Sequence, residues 1–287
     1  MTSAPAYRFG IYEKMLKAKP FPEMFEEAVM TGYETFEISL DETDVRLDRL
    51  NWTTDKFLQI QNAAKRSGIQ LFSACLSGHR RFPLGSADKA IEKHGKDLLR
   101  AGINFCCDLG IRVLQLSGFD VFYEPHSEET SKRYIENLAF GTRIAEQTGV
   151  MLAIEPVEGH ITSISEAMAI VNKIHSPWLQ VYPDVANLVA MGFDPVTELV
   201  FGEGHMVALH VRDAHLGTSY NIPWGTGTLN FVGVFQQLQK LNFNGPLVVE
   251  LWHEQDLDYL ESANISREYL LTKIQEAHKE SEGFIHV

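Results

Sequence analysis

Three cysteines in 287 residues, two of them adjacent at Cys106 and Cys107, are too few and too poorly spaced for a disulfide framework or a C-x-x-C zinc pattern. A reducing compartment follows, and the cytoplasm is the expected location. Basic residues are also in deficit: 25 Lys and Arg against 38 Asp and Glu leave a formal charge of −13. Without an overall positive field to collect phosphates, a nucleic-acid backbone is excluded as the main partner, although a local basic cluster can still hold a small anion. No apolar run approaches the ~20 residues needed to span a bilayer, and the opening MTSAPAYRFG lacks an apolar signal core, so no membrane partner is expected. The segment after the first apolar run, YEKMLKAKP, carries no G-x-G-x-x-G turn, which removes the main signal of an open dinucleotide-binding sheet. What remains is small-molecule chemistry on a chain that is 45% hydrophobic and so has ample material for a core.

What is present is a repeated junction. At Gly32, Gly68, Gly110, Gly149 and Gly245 a polar segment gives way to a glycine and then to an apolar run, as in TGVMLAIEP. Glycine just past a helix takes the left-handed conformation at little cost, so each junction reads as helix, stop, strand. With YRFGIY, LQVYPD and MVALHV added, there are eight strand candidates. The segments between them have helical spacing. Ile164, Ala167, Met168 and Val171 form one apolar face behind a Ser163–Glu166 capping box, and Phe57, Ile60 and Ala64 form another. Short, nearly continuous apolar strands alternating with amphipathic helices require a parallel sheet covered by helices. Eight of them close most naturally into an α/β (β/α)8 TIM barrel. No Pro- or Ser-rich linker divides the chain, so residues 1–287 are expected to form a single domain, with a C-terminal helix from about Ile265 closing the barrel.

Four of these strands end in residue types that bind metals: Glu155 after VMLAI, Asp184 after LQVYP, His210 in MVALHV and Glu250 in PLVVELW. Singly, an acid at a strand end is often a helix cap or a lysine partner, and one histidine among eleven is often a satisfied core residue. Together they would meet at the carboxyl end of adjacent strands, where barrels assemble their catalytic groups. Three crowded carboxylates repel one another unless a cation stands among them. A mixed set of oxygen and imidazole donors suits one divalent metal ion, Zn²⁺ or Mn²⁺, with positions left open for a substrate.

The segments GIYEK (10–14), SLDETD (39–44), CLSGHRRFPLGS (75–86), YPDVANL (182–188), HVRD (210–213), PWGTGTLNF (223–231) and VELW (249–252) resemble the sugar-phosphate 3-epimerases of the xylose-isomerase-like barrel superfamily. The resemblance is to the L-ribulose-5-phosphate 3-epimerase group, also called L-xylulose-5-phosphate 3-epimerases. It spans the chain from first strand to last. HVRD is shared across the superfamily, whereas SLDETD with LSGHRRFPLGS is specific. The resemblance implies that Glu155, Asp184, His210 and Glu250 hold one divalent metal. It also implies that Glu155 and Glu250 exchange the C3 proton of a pentulose 5-phosphate through an enediolate, in pentose or ascorbate-derived sugar catabolism. The alternatives are a free-ketose 3-epimerase or a hexulose-phosphate isomerase on the same barrel, or a non-catalytic sugar-binding barrel.

For the phosphate, His79, Arg80 and Arg81 follow the third strand, Lys14 follows the first, and Gly225 and Gly227 follow the seventh; all are candidates for anion binding. The arginine pair has a second reading, as partners of the nearby site carboxylates or as a lid ion pair. Asn187 stands where free-ketohexose epimerases of the superfamily typically have a histidine, which favours the phosphopentulose group. Glu158 is a candidate for orienting a ligand or a substrate hydroxyl. His205 and His215 flank His210 in the manner of a multinuclear zinc site, but the acidic charge argues against a DNA-repair activity. A homodimer is expected from base rates alone.

Overall fold

A computed structural model describes residues 7–253 and 258–283. In chain order, the elements begin β1 (Phe9–Tyr12), α1 (Phe21–Met30), β2 (Thr35–Ser39), α2 (Asp44–Leu47), α3 (Thr54–Ser67), β3 (Gln70–Leu76) and α4 (Lys89–Leu109). They continue β4 (Val113–Ser117), α5 (Glu128–Thr148), β5 (Met151–Glu155), α6 (Ile164–Ile174), β6 (Leu179–Val181), α7 (Val185–Ala190) and α8 (Pro195–Phe201). The last are β7 (Leu209–Val211), β8 (Asp213–His215), β9 (Thr218–Ile222), α9 (Phe231–Lys240), β10 (Leu247–Val249) and α10 (Tyr259–Gly283).

Eight strands pair in parallel in the order β6-β5-β4-β3-β2-β1-β10-β7. Isolated parallel bridges from Val181 to Met206 and from Asp184 to His210 join the two ends. The sheet is therefore a closed (β/α)8 barrel, the α/β fold expected from the alternation of strands and helices.

Closure buries most residues of the barrel strands on both faces, and the side chains divide with a period of two. In β2, Phe36 meets the rings of Phe21 and Phe25 in α1, while Glu37 points into the barrel and accepts from Ser73 in β3 at 2.6 Å. The outward set, including Phe36, Ile38, Leu114, Leu152 and Ile154, joins one large apolar layer with the helices. A second, small cluster of Tyr12, Cys75, Val113, Ala153, Tyr182, Ala208 and Val248 fills the barrel itself.

Four of the five glycine junctions behave as read, with Gly32, Gly68, Gly110 and Gly149 at φ between 72° and 84°. Gly245 does not. The chain turns left-handed at Asn242 (φ 51°), and Gly245 is needed for close approach instead, since a Cβ there would sit 2.6 Å from the Phe243 ring and 2.8 Å from the Val207 carbonyl. The Ser163–Glu166 capping box and the buried faces of α3 and α6 are as expected. The C-terminal helix starts at Tyr259 rather than near Ile265, because Tyr259 is itself buried and its hydroxyl bonds Glu27 of α1 at 2.9 Å, docking the helix's first turn. The antiparallel hairpin β8–β9 left no alternating apolar signal, as its residues range from buried Asp213 and Ala214 to exposed Thr218 and Tyr220. Among the described residues, no helix is long and apolar enough to cross a membrane.

Candidate active site

Glu155 is the last residue of β5, His210 the middle one of β7, and Glu250 follows β10 directly. Asp184 lies three residues beyond β6 and caps α7, accepting from the backbone N–H groups of Ala186 (2.8 Å) and Asn187 (3.3 Å). It is thus both the helix cap that a lone acid suggests and a member of the ring. Gly118, after β4, lets the backbone press against Glu155: its N–H donates to the Glu155 carbonyl at 2.7 Å, and a Cβ would sit 2.6 Å from that oxygen.

The four side chains are buried, and each offers one donor atom within 4.8 Å of the others, so the cluster could hold a metal ion. His210 Nδ1 is 2.8 Å from Glu155 Oε1 and 3.6 Å from Glu250 Oε2. This nitrogen therefore faces the carboxylates that would share the ion.

The charges show why the donor set fits a cation. Burial pushes the Glu155 carboxyl up to about 7, only partly offset by His210, and burial likewise raises Asp184 against the pull of Arg212. Burial opposes ionisation of Glu250 too, but Arg212 and His210 outweigh it and hold that carboxyl below its usual range. Despite its own burial, His210 is raised well above an ordinary imidazole by Glu37, Glu250 and Glu155. A divalent ion bound here would compete with protons for these groups.

Three participants escaped the sequence reading. Glu37, fully buried on β2, lies 2.7 Å from His210 Nε2 and fixes the ring nitrogen opposite the cluster. Arg212, in HVRD, reaches Asp184 Oδ2 at 2.5 Å, pairs with Glu250, and stacks on Trp252 with its guanidinium carbon 4.7 Å from the ring centre. Gln115 on β4 donates to Glu155 Oε2. The available signals were faint: Glu37 interrupts an apolar strand as Glu155 ends one, and Arg212 lies two residues beyond a ligand candidate.

A cavity of roughly 360 Å³ opens over the cluster, and its walls sort the remaining candidates. Lys14, Arg80, Glu158 and Asn187 line it. Lys14 is already paired with Asp41 at 2.5 Å, while Asn187 Oδ1 accepts from Arg212 (2.8 Å) and Ser219 (3.1 Å). Glu158 is exposed at the rim. His79 is buried, its Nε2 meets the Gly95 carbonyl at 3.1 Å, and burial pushes its pKa down to about 4. Arg81 points outward to Asp44 at 2.6 Å. The N–H groups of Gly225 and Gly227 donate to Asp213 Oδ2 at 2.8 and 3.0 Å, so in this structure they face the protein's own carboxylate. His205 bonds Gln180 at 2.8 Å, and neither it nor His215 joins the four-residue cluster.

A closed parallel barrel with three carboxylates and an imidazole converging at its mouth defines the class, and the chain belongs to the xylose isomerase-like TIM barrel family, whose model matches residues 25–271. Solved structures agree on the fold. The chain superposes on an L-ribulose 3-epimerase with a TM-score of 0.80 at 19% identity, covering 98% of this chain and 99% of that one. It superposes on the 3-keto-D-glucoside 4-epimerase YcjR of E. coli with a TM-score of 0.77 at 18% identity, covering 93% and 100%. Within the family the match narrows to one group: the chain is 38% identical over 270 residues to the L-ribulose-5-phosphate 3-epimerase UlaE of Escherichia coli K12, covering 93% of this chain and 95% of the relative. The same identity holds to UlaE of E. coli O157:H7.

Proposed function

We propose that the protein is an isomerase that inverts C3 of a ketopentose 5-phosphate, interconverting L-ribulose 5-phosphate and L-xylulose 5-phosphate. The observation that carries the reading is the convergence of Glu155, Asp184, His210 and Glu250 into one buried cluster, whose two glutamates line the cavity, in a chain 38% identical to a named L-ribulose-5-phosphate 3-epimerase.

Inversion next to a ketone requires removal of the C3 proton, delocalisation of the charge onto the C2 oxygen as an enediolate, and return of a proton to the opposite face. When bound, one divalent ion, Zn²⁺ or Mn²⁺, supplies a Lewis acid beside the ketose oxygens. Glu155, Asp184, His210 and Glu250 would hold it. The strands run β5, β6, β7, β10 around this side, so Glu155 and Glu250 flank the ring from its two ends. In this reading one carboxylate takes the C3 proton, and the other returns one to the far face. Arg212, bridging Asp184 and Glu250, holds both carboxylates in place and presents a fixed positive charge to the oxygens of the substrate. Glu37 locks the His210 ring so that Nδ1 faces the cluster.

A cytoplasmic location is supported by three free cysteines, two of them buried. A homodimer is the base-rate expectation, which sedimentation equilibrium tests. The reaction is tested by incubating the zinc- or manganese-loaded protein with L-ribulose 5-phosphate and following the sugars by ¹³C NMR. Appearance of L-xylulose 5-phosphate, abolished by a chelator and restored by metal, is expected. Stoichiometric metal with no pentulose conversion would move the reading to a free ketose or a hexulose phosphate. Absence of metal binding would leave a sugar-binding barrel.

A further inference from the structure

The two glutamates of the cluster are held by different means. Glu250 is engaged by the Arg212 guanidinium, which also reaches Asp184 at 2.5 Å. Glu155 has two partners that divide its oxygens: Oε1 lies 2.8 Å from His210 Nδ1, and Oε2 accepts from the Gln115 amide. On β4 the inward positions are Val113, which packs in the small cluster filling the barrel, Gln115, and Ser117, which lines the cavity. Gln115 is fully buried. Opposite it on β5 stands Ala153, small enough to let the amide reach Glu155 two residues further along that strand. The main chain of Glu155 is already fixed by the bond from the Gly118 N–H to its carbonyl. What remains free is the orientation of the carboxylate, and Gln115 sets it.

The other end of the same side chain is a cost. Gln115 Oε1 is buried with no hydrogen-bond partner among the described residues. A methionine of similar size would leave no such unpaired group, so the bond to Glu155 is the one interaction that only an amide supplies here. We propose that Gln115 is a positioning residue: it turns the Glu155 carboxylate so that Oε1 is presented with His210 Nδ1 to the metal ion, while Oε2 is kept to exchange the C3 proton. This deepens the epimerase reading and rests on it for the identity of the sugar. Gln115 serves one face of the substrate only, because Glu250, oriented by Arg212, serves the other. Losing the amide therefore slows proton transfer at Glu155 and leaves transfer at Glu250 nearly unchanged. The enediolate then leaves mainly by way of Glu250, whichever epimer it came from.

Two measurements on the full chain test this with Gln115→Met, using Val113→Ala as a packing change at the preceding inward position of the same strand. In the first, each epimer is incubated separately in D₂O with the metal-loaded protein, and deuterium at C3 of the recovered sugar is compared with conversion. In Gln115→Met the ratio of exchange to conversion is expected to rise about 10- to 100-fold from the epimer deprotonated by Glu250 and to fall from the other, with kcat lowered and KM nearly unchanged. Val113→Ala is expected to unfold at lower denaturant concentration and to keep the wild-type ratios. Ratios unchanged in Gln115→Met, shifted in the same sense from both epimers, or shifted equally in Val113→Ala would overturn the assignment. The second measurement needs no sugar. Metal-free wild type and Gln115→Met are titrated with Co²⁺ alone, and the visible spectrum reads the coordination of the ion. The variant is expected to bind Co²⁺ with a weaker visible band, as the freed Oε2 joins the ion. Superimposable spectra, or no Co²⁺ bound by the wild type, would overturn the proposal. Distinct spectra in a protein that exchanges neither pentulose at C3 would support the hold on Glu155 and remove the choice of sugar.

Discussion

Two groups of buried acids stand at the same end of this barrel and have opposite balances. Glu13, just after β1, is held by both nitrogens of the Arg49 fork at 2.6 and 2.7 Å and by the Ser39 N–H at 2.8 Å. Asp41 beside it meets Lys14, Arg46 and Thr43, and these contacts outweigh burial and hold its carboxyl well below the usual range. Every acid there has its cation. In the other group four carboxylates, Glu37, Glu155, Asp184 and Glu250, share two possible cations, His210 and Arg212. Ionised acids and protonated histidine would still leave that group negative. A balanced buried network holds loops together, whereas an unbalanced one must be completed by something from outside the chain, and the deficit marks the site.

The comparison breaks most visibly at the two glutamates. Glu155→Gln and Glu250→Gln are each expected to lower kcat by about 10³- to 10⁴-fold while circular dichroism shows a folded barrel. Turnover within tenfold of the wild type in either variant would remove the two-carboxylate scheme. In the balanced network the effect should appear in stability instead. Glu13→Gln leaves Arg49 without its counter-charge and is expected to cost about 3–5 kcal/mol in denaturant unfolding, with a much smaller change in kcat. Glu37→Gln tests the link to His210, with an expected loss of about 10- to 100-fold in metal affinity by competition with a chelator.

The gentlest contrast is in pH. In the metal-free protein Glu155, Asp184 and His210 all bind protons more tightly than in the unfolded chain. Their contribution to stability is therefore expected to fall as pH rises from about 5 to 8, by no more than about 1.4 kcal/mol per unit for each proton, with His79 acting in the opposite sense below about 6.5. Saturating metal should reverse this trend, because its ligands must be deprotonated. Thermal melts with and without chelator, at several pH values, measure both slopes; parallel slopes would mean that the ion does not bind at these residues.

Much of this contrast was legible in the sequence. Glu155 and Glu250 stood out because acids terminate or interrupt runs too apolar for the surface. Asp184 and His210 followed because the barrel topology places their strands between the other two. Glu37 was not legible, since in the alternating TFEIS an acid between Phe36 and Ile38 reads as a solvent-facing residue, and only closure of the sheet turns that face inward. For His79, Arg80 and Arg81 adjacency was legible and direction was not. A 3₁₀ turn sends the three side chains to a backbone carbonyl, the cavity and the outer surface respectively. For Gly225 and Gly227 the partner was not legible: their N–H groups face the protein's own Asp213.

The most direct test of the central claim is a proton NMR time course of the metal-loaded protein with L-ribulose 5-phosphate in D₂O. The account predicts loss of the C3 proton signal as L-xylulose 5-phosphate forms, with the C1 protons retained and both changes stopped by a chelator. Exchange at C1 with the C3 proton intact, or formation of the epimer without deuterium at C3, would contradict proton transfer at C3 by the two glutamates.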